Sequence, residues 1–311
     1  HEPPEPQKPA INLGCIDFFL PLSRFAGILP GPLAEDLRVG KGVAAEPVRA
    51  VDPARDLAAG NPMGEFLEAL AHLARAQGKA LARVRALPRE RPLPSAMPLR
   101  ASAWRRDPDW REALAALVEE MRSAPLPAPA AAALERLGRA APEELEALAD
   151  AVLGGEGGRP DLALAPFAGA ALQVYFTALA AELPAGGVER SHSGCPVCGS
   201  APVAGLVLGD DRLRYLSCSL CASEWHLPRI QCWECRATGG ISYLGLEGEP
   251  GMKAELCSAC RAYLKLFYRE KMPAAEPLAD DVASLTLDLL AAQEGWGRSG
   301  VNLFLLGGPE G

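Results

Sequence analysis

Four Cys-x-x-Cys pairs crowd into the stretch from residue 195 to residue 260, at Cys195/Cys198, Cys218/Cys221, Cys232/Cys235 and Cys257/Cys260. Of nine cysteines in 311 residues, only Cys15 lies elsewhere. A Cys-x-x-Cys turn presents two thiolates from one tight loop, and a tetrahedral metal takes four. The spacing reads C-x2-C-x19-C-x2-C followed by C-x2-C-x21-C-x2-C, two copies of one unit offset by 37 residues at the first pair and 39 at the second. Both reaches lie near the ~15–20 residues over which two such turns usually complete a four-sulfur site. Sequential pairing is therefore favoured, with Cys195, Cys198, Cys218 and Cys221 in one site and Cys232, Cys235, Cys257 and Cys260 in the other. A cross-braced alternative joining the first pair to the third stays open. The two-residue difference is expected in the hairpin loop, where insertions cost little. Gly199, directly after Cys198, suits a turn with positive φ; Arg236, Ala222 and Arg261 occupy the corresponding positions, where the geometry is less determined.

Cysteine usage and charge bound the function. Secreted disulfide frameworks are usually short and irregularly spaced, whereas repeated Cys-x-x-Cys in a large acidic chain reads as reduced, metal-holding thiols. A cytoplasmic protein is expected. Four thiolates suit zinc and mononuclear iron alike, and metals serving only as staples for a small domain are the plainer alternative. The net charge of -8 argues against a nucleic-acid coat. Tyr215, Trp225, Trp233, Tyr243 and Tyr263 surround the cysteines, but residues 189–271 hold ten Lys/Arg against nine Asp/Glu. Each four-thiolate site adds about -2 with a divalent ion, so these aromatics read as cover for metal rather than as base-stacking platforms. His192 and His226 are surplus to complete ligand sets. GGEGGRP at 154–160 lacks the Gly-Lys-Ser/Thr of a phosphate loop, no apolar run approaches the ~20 residues of a membrane span, and no hydrolase or transferase motif is present.

The rest of the chain predicts a mostly helical protein with small β modules. Residues 1–60 read as an irregular segment with one apolar patch, CIDFFLPLSRFAGIL, and Cys15 within it reads as a buried thiol. Residues 61–185 read as a helical domain: GNPMGEFLEALAHLARAQGKALARV and DPDWREALAALVEEMRSA carry apolar faces at helical period, the latter with Asp107 as N-cap and Pro108 at the first helical position. APEELEALADAVLGG starts near Pro142 and stops at Gly154, and PFAGAALQVYFTALAAEL is apolar all round, as a central helix would be. Beyond PAGGVERSHSG, two hairpins are expected, LVLGDDRLRYL and ISYLGLEGEPGMKAEL, the second turning at GEPG. They place the tandem modules at 190–229 and 230–271. Residues 272–311 predict one C-terminal helix, with Asp280 and Asp281 opening it as carboxylates complementing the helix dipole, and an apolar tail packing back on a domain.

With CPVCGSAPVAGLV, RYLSCSLCASEWHLPRIQC, ISYLGLEG, CSACRAYLKLFY and AEPLADDVASLTLDLLAAQEGWGRSGVNLFLL together, the chain resembles the FdhE family of formate dehydrogenase accessory proteins over about residues 60–306. Weaker echoes run through GNPMGEFLEALAHLARAQ and PFAGAALQVYFTALAAEL. The resemblance implies a helical N-terminal domain joined to tandem rubredoxin-like modules that bind iron through the eight paired cysteines, zinc being the alternative. It implies a non-enzymatic factor that contacts the catalytic subunit of formate dehydrogenase in the cytoplasm. Arg229 and, as an alternative to helix capping, Asp280 and Asp281 are candidate docking residues. Arg236 stands where the family's third turn commonly has glycine, which leaves the hydrogen bonds to that sulfur open.

Overall fold

A computed structural model of the chain describes residues 64–85, 97–154, 159–183, 194–209 and 211–306. The apolar patch at 15–29, Cys15 and His192 lie outside them. Five helices come first: α1 Gly64–Arg85, α2 Asp109–Met121, α3 Ala128–Leu137, α4 Pro142–Val152 and α5 Ala165–Ala180. Apart from Pro166, every residue of α5 is buried, which is what a helix apolar on all sides requires. The amphipathic α1, α2 and α4 lay their apolar stripes on it. Leu172 and Phe176 are fully excluded from water, each burial stabilising by about 1.5–3 kcal/mol.

The local signals act as their chemistry demands, with small displacements. The Asp107 side chain accepts the Asp109 N–H at 3.0 Å and holds the entry to α2 in a turn across Pro108, but Pro108 is the N-cap and the helix begins at Asp109, one residue later than expected. Glu144 accepts the Ala141 N–H at 2.8 Å at the start of α4, and Gly154, at φ +76°, ends that helix in the left-handed region. Helix α3 has no counterpart in the sequence reading. Pro125, Pro127 and Pro129 punctuate its approach, yet a proline in the first turn lacks only an N–H that the helix would leave unpaired.

The cysteine-rich half forms one sheet. Its strands are β1 Pro202–Leu208, β2 Leu213–Cys218, β3 Glu224–His226, β4 Ile241–Leu246, β5 Glu249–Cys257, β6 Ala262–Tyr268 and β7 Gly297–Arg298. They run in the order β3-β2-β1-β6-β5-β4, with β7 paired to β6. The tandem units are thus fused: β1 pairs in parallel with β6, Gly205 to Leu266 through Val207 to Tyr268. A Cβ on Gly205 would stand 2.6 Å from Leu266 Cδ2, so glycine permits the junction. The 3-2-1 and 6-5-4 orders have the same sense, and the second unit therefore repeats the first by translation along the sheet.

Three sequence expectations are corrected. The second hairpin turns at Glu247 and Gly248, the latter at φ +84°, and Pro250 and Gly251 of the expected GEPG turn already belong to β5. The two-residue insertion precedes the strand instead of lying in the hairpin loop: the Ser219 N–H bond to the Ala201 carbonyl maps onto Ser258 N–H to Gly240, so the offset is already 39 where β4 begins. The single C-terminal helix is two, α6 Pro277–Ala283 and α7 Leu285–Gln293. They break at Ser284 because the Lys265 ammonium donates to the Asp281 carbonyl at 2.6 Å and withdraws it from the helical ladder. The tail does pack back, with Leu303 against α5 at Gly169.

Candidate metal centres

Each unit brings its four cysteines to one point. Cys195, Cys198, Cys218 and Cys221 form one cluster and Cys232, Cys235, Cys257 and Cys260 the other, all sulfurs of a cluster lying within 4.8 Å of one another. The order of pairing is thus sequential, and the cross-braced alternative does not occur. Sulfur separations include 3.6 Å for Cys195–Cys221, 3.4 Å for Cys198–Cys218, 3.8 Å for Cys232–Cys260 and 3.6 Å for Cys235–Cys257. Tetrahedral metal–thiolate bonds of about 2.3 Å place sulfurs about 3.8 Å apart, so both cages fit a four-coordinate ion. Which ion they take is not a matter of cage size, because zinc and mononuclear iron share this donor set.

The turns are built alike. The residue after each second cysteine has positive φ: Gly199 at 79°, Ala222 at 55°, Arg236 at 68° and Arg261 at 58°. Three of the four lack glycine's freedom and carry a local strain cost, held by main-chain bonds such as Arg236 N–H to Cys232 and Arg261 N–H to Cys257 carbonyls. That conformation aims amides at sulfur. Leu220 and Cys221 N–H groups point at Cys218 Sγ at 3.3 and 3.4 Å, and the Cys232 sulfur receives backbone N–H groups from Cys235 and Glu234. Arg236 therefore leaves the third turn's sulfur bonds intact. Burial pushes the Cys195 and Cys218 thiols up; four thiolates in such a space require a cation to offset them.

The cages differ in cover. Cys195, Cys198, Cys218 and Cys221 are 0, 1, 2 and 1% exposed and belong to the main core shared with the helices. The segment after Met97 lies over the first cage: Leu99 N–H donates to the Val197 carbonyl and Ala101 N–H to that of Cys198, both at 2.9 Å. From α5, Gln173 Nε2 donates to the Ser219 carbonyl at 2.8 Å. In the second cage Cys232 and Cys257 are buried, Cys235 is exposed and Cys260 is partly exposed. Loaded with two zinc ions, the chain is expected to yield one ion to a chromogenic chelator at least tenfold faster than the other. Equal release of both ions would mean that cover does not control exchange.

Arg229 is half-buried, its guanidinium 5.9 Å from the Tyr243 ring centre. Asp280 and Asp281 are 4 and 0% exposed, so neither carboxylate faces a partner in this structure. The α6 cap is Glu276, whose carboxylate accepts the Ala279 N–H at 2.7 Å while Asp280 accepts the Glu276 N–H at 2.6 Å. Burial raises these two carboxyls, Glu276 to about 7 and Asp280 to about 6. Asp281 instead receives Lys265, Arg298 and Asn302, and Lys265 and Arg298 also bind Asp288. His226 stands edge-on to Tyr215 with ring centres 5.6 Å apart, in neither cysteine cluster.

The buried charges beneath the sheet were not legible beforehand. Arg214, fully buried on β2, pairs with Glu255 on β5. It also donates to the carbonyls of Leu227, Pro228 and Gln231 at 3.2, 2.8 and 2.6 Å, which fixes the connection between the units across the sheet. The one signal was a charge inside each apolar run, LRYLSC, KAELC and AYLKLFY, where alternation reads as a solvent face.

The family models that match are FdhE, N-terminal, over residues 54–192; FdhE, central domain, over 194–229; and FdhE, C-terminal domain, over 230–305. Among curated proteins, the chain is 39% identical to "Protein FdhE homolog" of Cronobacter sakazakii, with 82% of this chain and 86% of that one covered. It is 40% identical to the homolog of Serratia proteamaculans, covering 84 and 88%. Among solved structures, it is similar to the FdhE protein from Pseudomonas aeruginosa, with a TM-score of 0.73 and 39% identity over 82% of this chain and 94% of that one. No described helix is long and apolar enough to cross a membrane.

Proposed function

The chain belongs to the FdhE family, and from that premise we propose that it is a cytoplasmic, non-enzymatic accessory factor that docks on the immature catalytic subunit of respiratory formate dehydrogenase. In this reading the eight paired cysteines hold two mononuclear irons, and the chain binds neither nucleic acid nor membrane. The observation that carries the metal part is the presence of two four-sulfur cages at coordination spacing on one rigid sheet. When bound, each ion would offset part of the charge of four clustered thiolates and cross-link two turns, coupling metal affinity to folding. The domain scheme of a helical unit at 61–185, metal units at 190–229 and 230–271, and a C-terminal segment from 272 goes with it.

Protein purified anaerobically from iron-replete cells is expected to carry two irons per chain with a thiolate-to-iron visible spectrum, and to bind purified cofactor-free catalytic subunit in a titration. Two colourless zincs would overturn the iron assignment, and no binding would overturn the accessory role. A second reading, electron transfer through a rubredoxin-like iron, draws on the exposure of Cys235. Reversible bleaching on reduction with rapid exchange to an acceptor would favour it.

A further inference from the structure

We infer that the turn tips of the second metal unit, Glu234, Cys235, Ser258 and Ala259, are a docking site for a turn-forming polypeptide segment of the client, which seats there as the turns through Leu99–Ala101 seat on the first unit. This rests on the accessory reading and names the surface it would use. Translation along the sheet puts both units in the same orientation, and their turns superpose bond for bond. Cys195 N–H to the Ser200 carbonyl is repeated by Cys232 N–H to Ala237, and Gly199 N–H to Cys195 by Arg236 N–H to Cys232. The offsets map Val197, Cys198 and Ser219 onto Glu234, Cys235 and Ser258.

In the first unit those three carbonyls accept from Leu99 N–H, Ala101 N–H and the Gln173 amide. In the second, no hydrogen bond from the described residues reaches the carbonyls of Glu234, Cys235 or Ser258, and these residues and Ala259 are exposed. A preformed group of unpaired backbone acceptors at the turn tips is the kind of surface that takes up backbone N–H groups of another segment, as the first unit does with Leu99 and Ala101. The occupant is thus a segment offering two N–H groups two residues apart, as the turns around Leu99 and Ala101 do, with a further donor for Ser258. Its chemistry is more polar than that of the built-in cover. The first unit meets its cover with Val197 and Leu220, 0 and 2% exposed, where the second has Glu234 and Ala259. An interface with a charged tip and a small apolar one suits a partner that must leave again.

The test is a binding titration of the full, metal-loaded chain with purified cofactor-free formate dehydrogenase catalytic subunit. Ala259→Trp and Ser258→Trp, which put bulk over the acceptors without touching a cysteine, are expected to raise Kd at least tenfold. Leu289→Trp, at an exposed site on α7, should stay within twofold of the parent. Metal content measured alongside must remain at two per chain in all three. A parent that binds while Ala259→Trp and Ser258→Trp bind equally well overturns the site alone. A parent that does not bind overturns the accessory reading and the site with it. If sedimentation instead shows that the parent dimerises and Ala259→Trp does not, the face belongs to a second copy, which also overturns the proposal.

Discussion

Cys195→Ser is expected to cost the chain one metal and much of its stability, on the order of 5 kcal/mol, because metal binding at such a site is folding free energy. Cys235→Ser is expected to lose its metal at a fraction of that cost. The asymmetry follows from where the cages sit. All four sulfurs of the first belong to the core cluster that includes Leu172, Phe176 and Leu179 of α5, so releasing its ion leaves charged or mutually repelling thiols inside the junction of helices and sheet. The second cage lies outside both apolar clusters, with Cys235 in water. Urea unfolding followed by circular dichroism, with metal content measured on the same samples, reads the difference. Equal midpoints for the two variants would show that the first cage is no more a part of the core than the second.

The features legible in the sequence were those set by local spacing. Cysteine intervals gave both cages, because a Cys-x-x-Cys turn and a hairpin are short-range objects, and the absence of charged residues through PFAGAALQVYF marked α5 as central. What could not be read depends on contacts between distant segments. The parallel pairing of Gly205–Val207 with Leu266–Tyr268 fuses two modules that spacing alone presents as independent. Asp280 and Asp281 look like ordinary helix-opening carboxylates, and only the presence of Lys265 and Arg298 on neighbouring strands shows why Asp281 is fully buried. Helix α3 was hidden by its prolines, whose cost depends on position in the helix rather than on number.

Arg214→Met is expected to destabilise the chain by at least about 3–5 kcal/mol, the usual consequence of removing one member of a buried ion pair. Arg214 is 0% and Glu255 5% exposed, so the variant strands a carboxylate without its cation. It also removes the donor from the carbonyls of Leu227, Pro228 and Gln231, each unsatisfied acceptor adding about 1–3 kcal/mol if water cannot reach it. A double variant, Arg214→Met with Glu255→Gln, is expected to recover the charge penalty but not the carbonyl bonds, which separates the two contributions. The charge part has a pH signature. Burial already holds the Glu255 carboxyl above its ordinary value, against the pull of Arg214, and loss of Arg214 raises it further. A carboxyl that binds its proton more tightly folded than unfolded gives stability that is present at acid pH and lost as pH rises through the folded value. The gap between Arg214→Met and parent in urea unfolding should therefore narrow at pH 5 and widen at pH 8. If it is the same at both, the arginine acts chiefly as a clamp on the connection between the units, and charge compensation of Glu255 is the smaller part of its role.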